Sequence, residues 1–353
     1  MKKLNVLVLG VGGNVSQGII AALRKMKQKY RIVGACISKD SIGLYMCDAA
    51  YISPLANNSE FIKWIIEICE KEKIDIIFSG VEEIILELSK NIRYLETNTK
   101  AIFKSSPYEK LLIGNDKLET CKWLKENGLN YPEFASGDKE REIEELIEKI
   151  GFPLIAKPKC GKGSQGIIIL ENRKDLKRIE KKEEYIIQEY LGNENEEYTI
   201  GCYCDKYGKM QSMIVMRRKL KYGTTFFAEI VKNKKIEKEA EKICKKFKPI
   251  GPLNIQLRLH KEIPVCFELN VRFSGTTPLR AQWGYNDIEA MIKEYLYHEN
   301  ISCLLKPQEK AKAYRYFNEI YIDMEMEKKL EKDGMVENVN KYDNLEEVRS
   351  RKK

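Results

Sequence analysis

The segment Phe152-Pro153-Leu154-Ile155-Ala156-Lys157-Pro158-Lys159-Cys160-Gly161-Lys162-Gly163-Ser164-Gln165-Gly166 runs an apolar strand pattern into Lys157. It then spaces three glycines over six residues, with Lys162 and Ser164 between them. Glycine permits unusual dihedrals and close approach, so such a loop can offer bare backbone N–H groups to phosphate oxygens. It is not a Walker A loop, because the apolar strand pattern Ile167–Leu170 follows where that motif opens a helix. A flexible basic hairpin has the same composition. A second stretch is Phe267-Glu268-Leu269-Asn270-Val271-Arg272. Strand side chains alternate faces, so Glu268, Asn270 and Arg272 share one. A carboxylate and an amide carbonyl two residues apart supply hard oxygen ligands for Mg²⁺, and Arg272 can hold a phosphoryl oxygen. Asn254, Gln256 and Arg258 share a face of the preceding strand, and Gln256 can offer another oxygen to the same metal. An exposed polar sheet face would read alike. Between these stretches, Ile187-Gln188-Glu189-Tyr190-Leu191-Gly192 forms a strand running into a turn, and Glu196-Glu197-Tyr198-Thr199-Ile200 follows a short acidic linker.

Composition narrows the chemistry. The only histidines are His260 and His298, which makes Ser-His-Asp and Cys-His mechanisms unattractive. The ten cysteines are scattered, and Cys202 with Cys204 is the one tight pair, so reduced free thiols are expected. Carboxylates, lysines, arginines and backbone amides must then carry the chemistry. The net charge is +9, and residues 201–250 hold fourteen Lys/Arg against five Asp/Glu, as large an excess as the whole chain's. Its position beside the strands above points to a small anionic ligand. No aromatic–basic interleaving marks a nucleic-acid surface. Hydrophobic residues at 43 % and charged residues at 33 % fit a globular chain of two or three domains. No apolar run reaches the roughly 18 residues of a membrane span. Met1-Lys2-Lys3-Leu4 starts like a signal peptide, but the apolar run breaks at Gly12-Gly13-Asn14. It reads as a buried first strand, and the expected location is the cytoplasm.

The elements that must position these residues fall into two patterns. Leu4–Leu9, Arg31–Ile37 and Ile74–Phe78 read as buried strands. They alternate with helices near Ser16–Lys27, Glu60–Lys71 and Glu82–Lys90, which predicts an α/β, doubly wound parallel sheet. The boundary lies near Ser105-Ser106-Pro107. Helices near Asp116–Asn127 and Lys139–Ile150 follow, each stopped by glycine. Then comes a strand-rich α+β region with mostly antiparallel pairing: Leu154–Pro158, Gly166–Leu170, Tyr185–Glu189, Tyr198–Cys204, Gln211–Arg217, Phe226–Val231, Leu253–Leu259 and Pro264–Asn270. Asn286–Tyr297 reads as a helix. Glu325–Lys353 is charged and weakly patterned, so helix or a frayed tail without chemistry is expected there.

Taken in order, these motifs resemble the ATP-grasp superfamily, particularly its carbamoyl-phosphate-synthase-like and carboxylate–amine ligase members. The resemblance runs from about Leu4 to Leu305. It implies a pre-ATP-grasp domain over 1–106 and an ATP-grasp domain over 107–305, with a small lobe at 107–187 and a large lobe at 188–305. An extension over 306–353 would complete or flank the large lobe. It implies ATP with Mg²⁺ or Mn²⁺. Lys117 would be the first nucleotide-contacting lysine and Lys157 the second. Gly161, Gly163, Ser164 and Gly166 would form the loop that closes over the phosphates, and Glu189 and Leu191 the adenine hinge. Glu197, beside Glu194 and Glu196, would hold the ribose hydroxyls. Glu268, Asn270 and Gln256 would be the metal ligands, and Arg272, with Lys157, catalytic at the transferred phosphate. The chain departs from the family at Val271, where proline is frequent, and at Ser274-Gly275-Thr276-Thr277, where many members are glycine-rich.

The activity implied is ligation: a small-molecule carboxylate is activated as an acyl phosphate with release of ADP, then coupled to an amine or similar nucleophile. Neither a nucleic acid nor a membrane is implied as partner, and a homodimer is left open. One alternative is an ATP-binding regulatory module, which would keep loop and hinge but lose the metal ligands. Another is a nicotinamide-dinucleotide dehydrogenase, resting on Gly10-Val11-Gly12-Gly13-Asn14-Val15, whose fingerprint fails at Val15. Around the acceptor, Arg217–Lys219, Lys221, Arg280, Gln282 and either Glu82 or Glu83 are the candidates.

Overall fold

A computed structural model describes residues 3–161, 163–192, 196–301 and 304–337; Lys162, Glu194 and the stretch 338–353 lie outside the described residues. The first apolar run becomes strand β1 (Asn5–Leu9), followed by β2 (Arg31–Cys36), β3 (Ala49–Ile52) and β4 (Ile76–Ser79). They pair in parallel in the order β3-β2-β1-β4. Strand order therefore reverses between β1 and β4, as in doubly wound sheets. Helices Asn14–Lys25, Phe61–Lys71 and Glu82–Lys90 lie between strands in sequence, and the second buries Phe61, Ile62, Ile65 and Ile68. β3 was not expected, because Ala-Ala-Tyr-Ile is too short to show a period. Val15 stands where a third glycine would stand in a dinucleotide fingerprint, and its side chain fills the space beside β4. A Cβ on Gly80 would fall 2.4 Å from it.

The middle of the chain builds two antiparallel sheets. β5 (Phe134–Ser136), β6 (Leu154–Pro158), β7 (Ile168–Leu170) and β8 (Tyr185–Glu189) pair in the order β5-β8-β6-β7. Their core joins Leu154, Ala156, Leu170 and Ile187 to Ile143, Leu146 and Ile147 of helix Glu140–Ile150. The larger sheet holds β9 (Glu197–Cys204), β10 (Met210–Lys221), β11 (Thr224–Ile230), β12 (Gly251–His260), β13 (Ile263–Asn270) and β14 (Lys312–Tyr314). Its order is β13-β12-β9-β10-β11-β14. Helix Lys234–Phe247 buries Ile236, Ala240, Ile243 and Phe247 and leaves its lysines exposed.

The segment after residue 306 divides. β14 extends the large sheet beside β11. Helix Met324–Asp333 and β15 (Met335–Glu337) instead belong to the first sheet, where β15 runs antiparallel to β3. Of the helix or frayed tail expected from Glu325 on, the described residues up to Glu337 form a helix and a short strand, anchored by the buried Leu330 and Val336. By compactness the chain forms two units. One gathers the described residues of Met1–Tyr108, Arg272–Pro307 and Tyr316–Lys353, the other those of Glu109–Val271 and Gln308–Arg315.

Candidate functional site

A cavity of about 180 Å³ opens within the second unit. Most of the sequence-derived candidates line it: Lys117, Lys157, Gly161, Gly163, Ser164, Glu189, Leu191, Glu197, Gln256 and Glu268. Each is delivered by a local device. Asp116 caps helix Lys117–Glu126, its carboxylate accepting from the amides of Leu118 (2.7 Å) and Glu119 (3.3 Å). That cap fixes Lys117, whose Nζ donates to the Gly161 carbonyl at 3.2 Å. Gly163, Ser164 and Gly166 all take positive φ, which coils the loop so that successive amides can face one side. The loop rests on the β10–β11 hairpin tip, where a Cβ on Gly223 would lie 2.0 Å from the Gly163 carbonyl oxygen.

Lys157 leaves β6 with no hydrogen-bond partner among the described residues, its ammonium 4.8 Å from the centre of the Phe267 ring. Burial draws its pKa down from 10.5 to about 8, against the pull of Glu268. Phe267 and Glu268 are consecutive on a strand, yet both face the cavity. A β-bulge explains this: Gln256 pairs with Glu268 and Leu257 with Cys266, leaving Phe267 unpaired.

Four neighbouring strands carry a continuous polar chain across the cavity wall. Asn270 and Gln256 each donate an amide N–H to Glu268 Oε1 at 2.9 Å. Gln256 Oε1 accepts from Arg218 at 2.6 Å, so both ends of its amide are engaged. Arg218 also reaches Glu197 Oε1 (Nε at 3.0 Å), and Arg258 reaches Glu197 Oε2 (Nη2 at 2.7 Å, Nε at 3.1 Å). Burial alone would raise the Glu197 carboxyl, but the two guanidiniums outweigh it and hold it below the usual carboxylate value. At the hinge, His260 lies 3.5 Å from Glu189, and its Nδ1 donates to the Leu191 carbonyl oxygen at 3.3 Å.

Three candidates stand elsewhere. Gly166 closes the loop without lining the cavity. Asn270 is buried behind Glu268. Arg272 counts with the first unit, where its guanidinium pairs with Glu82 and donates to the Phe273 carbonyl at 2.7 Å. Among the acceptor candidates, Arg280 is fully buried against Asp287 at 2.8 Å and does not line the cavity. Gln282 takes a hydrogen bond from Lys25. The sequence reading missed Gln188, a cavity residue that is fully buried. Its Nε2 donates to the Cys121 sulfur at 3.0 Å, and its Oε1 has no partner among the described residues. It also left Arg258 without a role. No local pattern marks either residue.

The cavity has the parts a magnesium nucleotide needs. Gln188 Oε1 is an orphaned buried acceptor that suits an exocyclic amine, and the glycine loop and two lysines suit phosphates. Glu268 is a hard oxygen donor of the kind Mg²⁺ takes alongside phosphates, and Asn270 is hydrogen-bonded to it from outside the lining. A family model for an ATP-grasp in the biosynthetic pathway with Ter operon matches residues 181–316. A RimK-like ATP-grasp domain matches 114–204, and a PylC-like N-terminal domain matches 6–102. The chain belongs to the ATP-grasp superfamily. The carbamoyl phosphate synthase large chain of Helicobacter pylori is 23 % identical over 350 residues, covering 91 % of this chain and 31 % of that protein. The chain thus spans about a third of the length of that relative. Among solved structures, N5-carboxyaminoimidazole synthetase from Staphylococcus aureus complexed with ADP superposes with a TM-score of 0.67 at 18 % identity. That match covers 83 % of this chain and 77 % of the other. L-amino acid ligase from Bacillus licheniformis gives 0.67 at 16 % identity, covering 89 % and 80 %. At these identities the likeness is one of fold.

Proposed function

We propose that this chain is an ATP-dependent ligase that activates a substrate carboxylate as an acyl phosphate and couples it to an amine. The observation that carries the reading is the convergence, in one cavity, of Lys117, Lys157, the positive-φ glycine loop, the orphaned Gln188 Oε1 and Glu268. Gln188 accepts from the adenine amine, and Glu189 and Leu191 edge the base. Lys117, Lys157 and the loop amides face the phosphates. Glu268 and Asn270, with Gln256 beside them, would hold Mg²⁺ or Mn²⁺, which when bound neutralises charge on the phosphates. Arg272 keeps the role at the transferred phosphate that its place two residues after Asn270 implies.

A carboxylate oxygen attacks the γ-phosphorus while the bond to the β-phosphate oxygen breaks, releasing ADP. The amine nitrogen then attacks the acyl carbon, phosphate departs with the bonding pair, and the nitrogen gives up a proton. Positioning and electrostatic stabilisation carry such transfers, which suits a cavity of cations and amides. The test is a screen of amino acids and small carboxylates for ADP release, with hydroxylamine present to trap the acyl phosphate. Hydroxamate formation dependent on the carboxylate supports the reading, and production of AMP overturns it.

A further inference from the structure

We propose that β14 is a self-association edge, through which two copies of this chain pair strand to strand, antiparallel, about a twofold axis at Ala313. β14 is the last strand of the six-stranded sheet and has β11 on one side only. The register with β11 fixes which backbone groups are left over. The Ile230 amide donates to the Ala311 carbonyl at 2.9 Å, and the Arg315 amide to the Phe226 carbonyl at 2.8 Å. Antiparallel ladders alternate, so residues 311, 313 and 315 bond β11, while Lys312 and Tyr314 turn their N–H and C=O groups outward. Those outward groups have no partner among the described residues. The opposite edge of the sheet is covered, since Cys266 of β13 donates its amide to the Asn130 carbonyl at 3.2 Å.

Open edges are commonly guarded by a free charge, a proline or a bulge. β14 pairs with β11 without a bulge and contains no proline, and its one lysine, Lys312, is drawn onto the sheet face by Glu229 at 3.2 Å. Tyr314 is 70 % exposed and Tyr316 82 %. The Tyr314 ring lies 5.0 Å from that of Phe227 on β11, which holds it over the sheet. The occupant follows from the run Lys310-Ala311-Lys312-Ala313-Tyr314-Arg315-Tyr316. Reversed about Ala313, it sets Lys312 against Tyr314 and Lys310 against Tyr316 of the second copy on one face, and Ala311 against Arg315 on the other. No like charges meet, and each lysine meets an aromatic ring. Arg217 and Lys312 share Glu229, so this edge carries a spare positive charge for the rings. The pairing consumes the outward groups of Lys312 and Tyr314 in both copies, so it closes as a dimer. The strands and their tyrosines cover on the order of 1,000 Å² over both copies, at the low end for a specific pair.

An interface of that size gives a micromolar dimer, and sedimentation velocity of the full chain from about 1 to 100 µM brackets it. The wild type should pass from monomer to dimer over that range. Tyr314→Lys and Tyr316→Lys each set lysine against lysine twice across the axis, and each should weaken association about tenfold or more. Tyr207→Lys removes a tyrosine that is 79 % exposed on the β9–β10 turn, away from this edge, and should leave association unchanged. Far-UV circular dichroism checks that each variant folds. Should Tyr314→Lys not fold, Tyr316→Lys, which lies outside the strand, decides alone. A wild type that stays monomeric at the highest concentration overturns the proposal. A dimer that the folded Tyr314 and Tyr316 variants leave intact, or that Tyr207→Lys weakens as much as they do, overturns it equally. None of these outcomes bears on the ligase reading, which is tested separately by ADP release.

Discussion

At the scale of single residues, Lys157 gives the cavity a titrating group. Burial lowers its ammonium to about 8; Glu268 and Cys121 oppose the shift, while Arg258 and Lys117 add to it. A bound polyphosphate favours the protonated form, so binding takes up a proton once the pH exceeds the free value. Nucleotide affinity should be insensitive to this group below about pH 8 and weaken about tenfold per pH unit above it, until the pKa of the complex is reached. Titrations from pH 7 to 9.5 at fixed free Mg²⁺ check this. Lys157→Arg, which stays charged, should flatten the profile. Glu268→Ala removes the carboxylate on which Gln256 and Asn270 converge. By analogy with other preorganised charge stabilisers, its ADP release should fall on the order of 10²–10³-fold. Normal turnover by that variant would refute the site assignment. The sequence made these two residues legible because a lysine ending a strand ahead of glycines, and a carboxylate two residues from an asparagine, are local patterns. Gln188, Arg218 and Arg258 have no such pattern, since their roles come from partners on other strands.

At the scale of elements, two joints shape the cavity. The bulge at Phe267 turns an apolar ring and its neighbouring carboxylate to the same side, against the alternation that the sequence suggests. The hairpin tip at Gly223 supports the glycine loop. Gly223 has φ +68°, and any Cβ there would meet the Gly163 carbonyl at 2.0 Å. Gly223→Ala should therefore displace the loop and weaken nucleotide binding several-fold, at a stability cost of roughly 1–2 kcal/mol from the left-handed backbone alone. Parallel calorimetry and thermal melts separate the two effects. In the first unit, helix Met324–Asp333 is held by Leu330, which is fully buried. Leu330→Ala should cost about 2–5 kcal/mol, read from denaturant midpoints. The sequence showed the long strands and amphipathic helices because burial imposes their periods. It missed β3 and the pairing of β15, which are three or four residues long and exist only through their neighbours.

At the scale of the whole molecule, the charge and the thiols take on definite places. Within the basic stretch, Arg217 pairs with Glu229 and Arg218 with Glu197, while Lys219, Lys221 and the lysines of helix Lys234–Phe247 are exposed. No helix among the described residues is long and apolar enough to cross a membrane. Eight of the described cysteines are free and buried, and Cys160, on the glycine loop, is exposed. A thiol reagent applied to the folded protein should modify Cys160 and spare those eight, which become reactive on unfolding; peptide mass mapping reads the difference. A nucleotide that closes the loop should slow the modification of Cys160. Composition, glycine spacing and strand alternation by themselves determined the class of fold, the glycine loop and the carboxylate–amide pair, because these are properties of neighbours along the chain. The tertiary structure decided that Glu197 is held by two arginines, that Arg280 is buried, and that Phe267 joins Glu268 at the cavity. Cross-strand register and burial set those outcomes, and both depend on residues distant in sequence that only folding brings together.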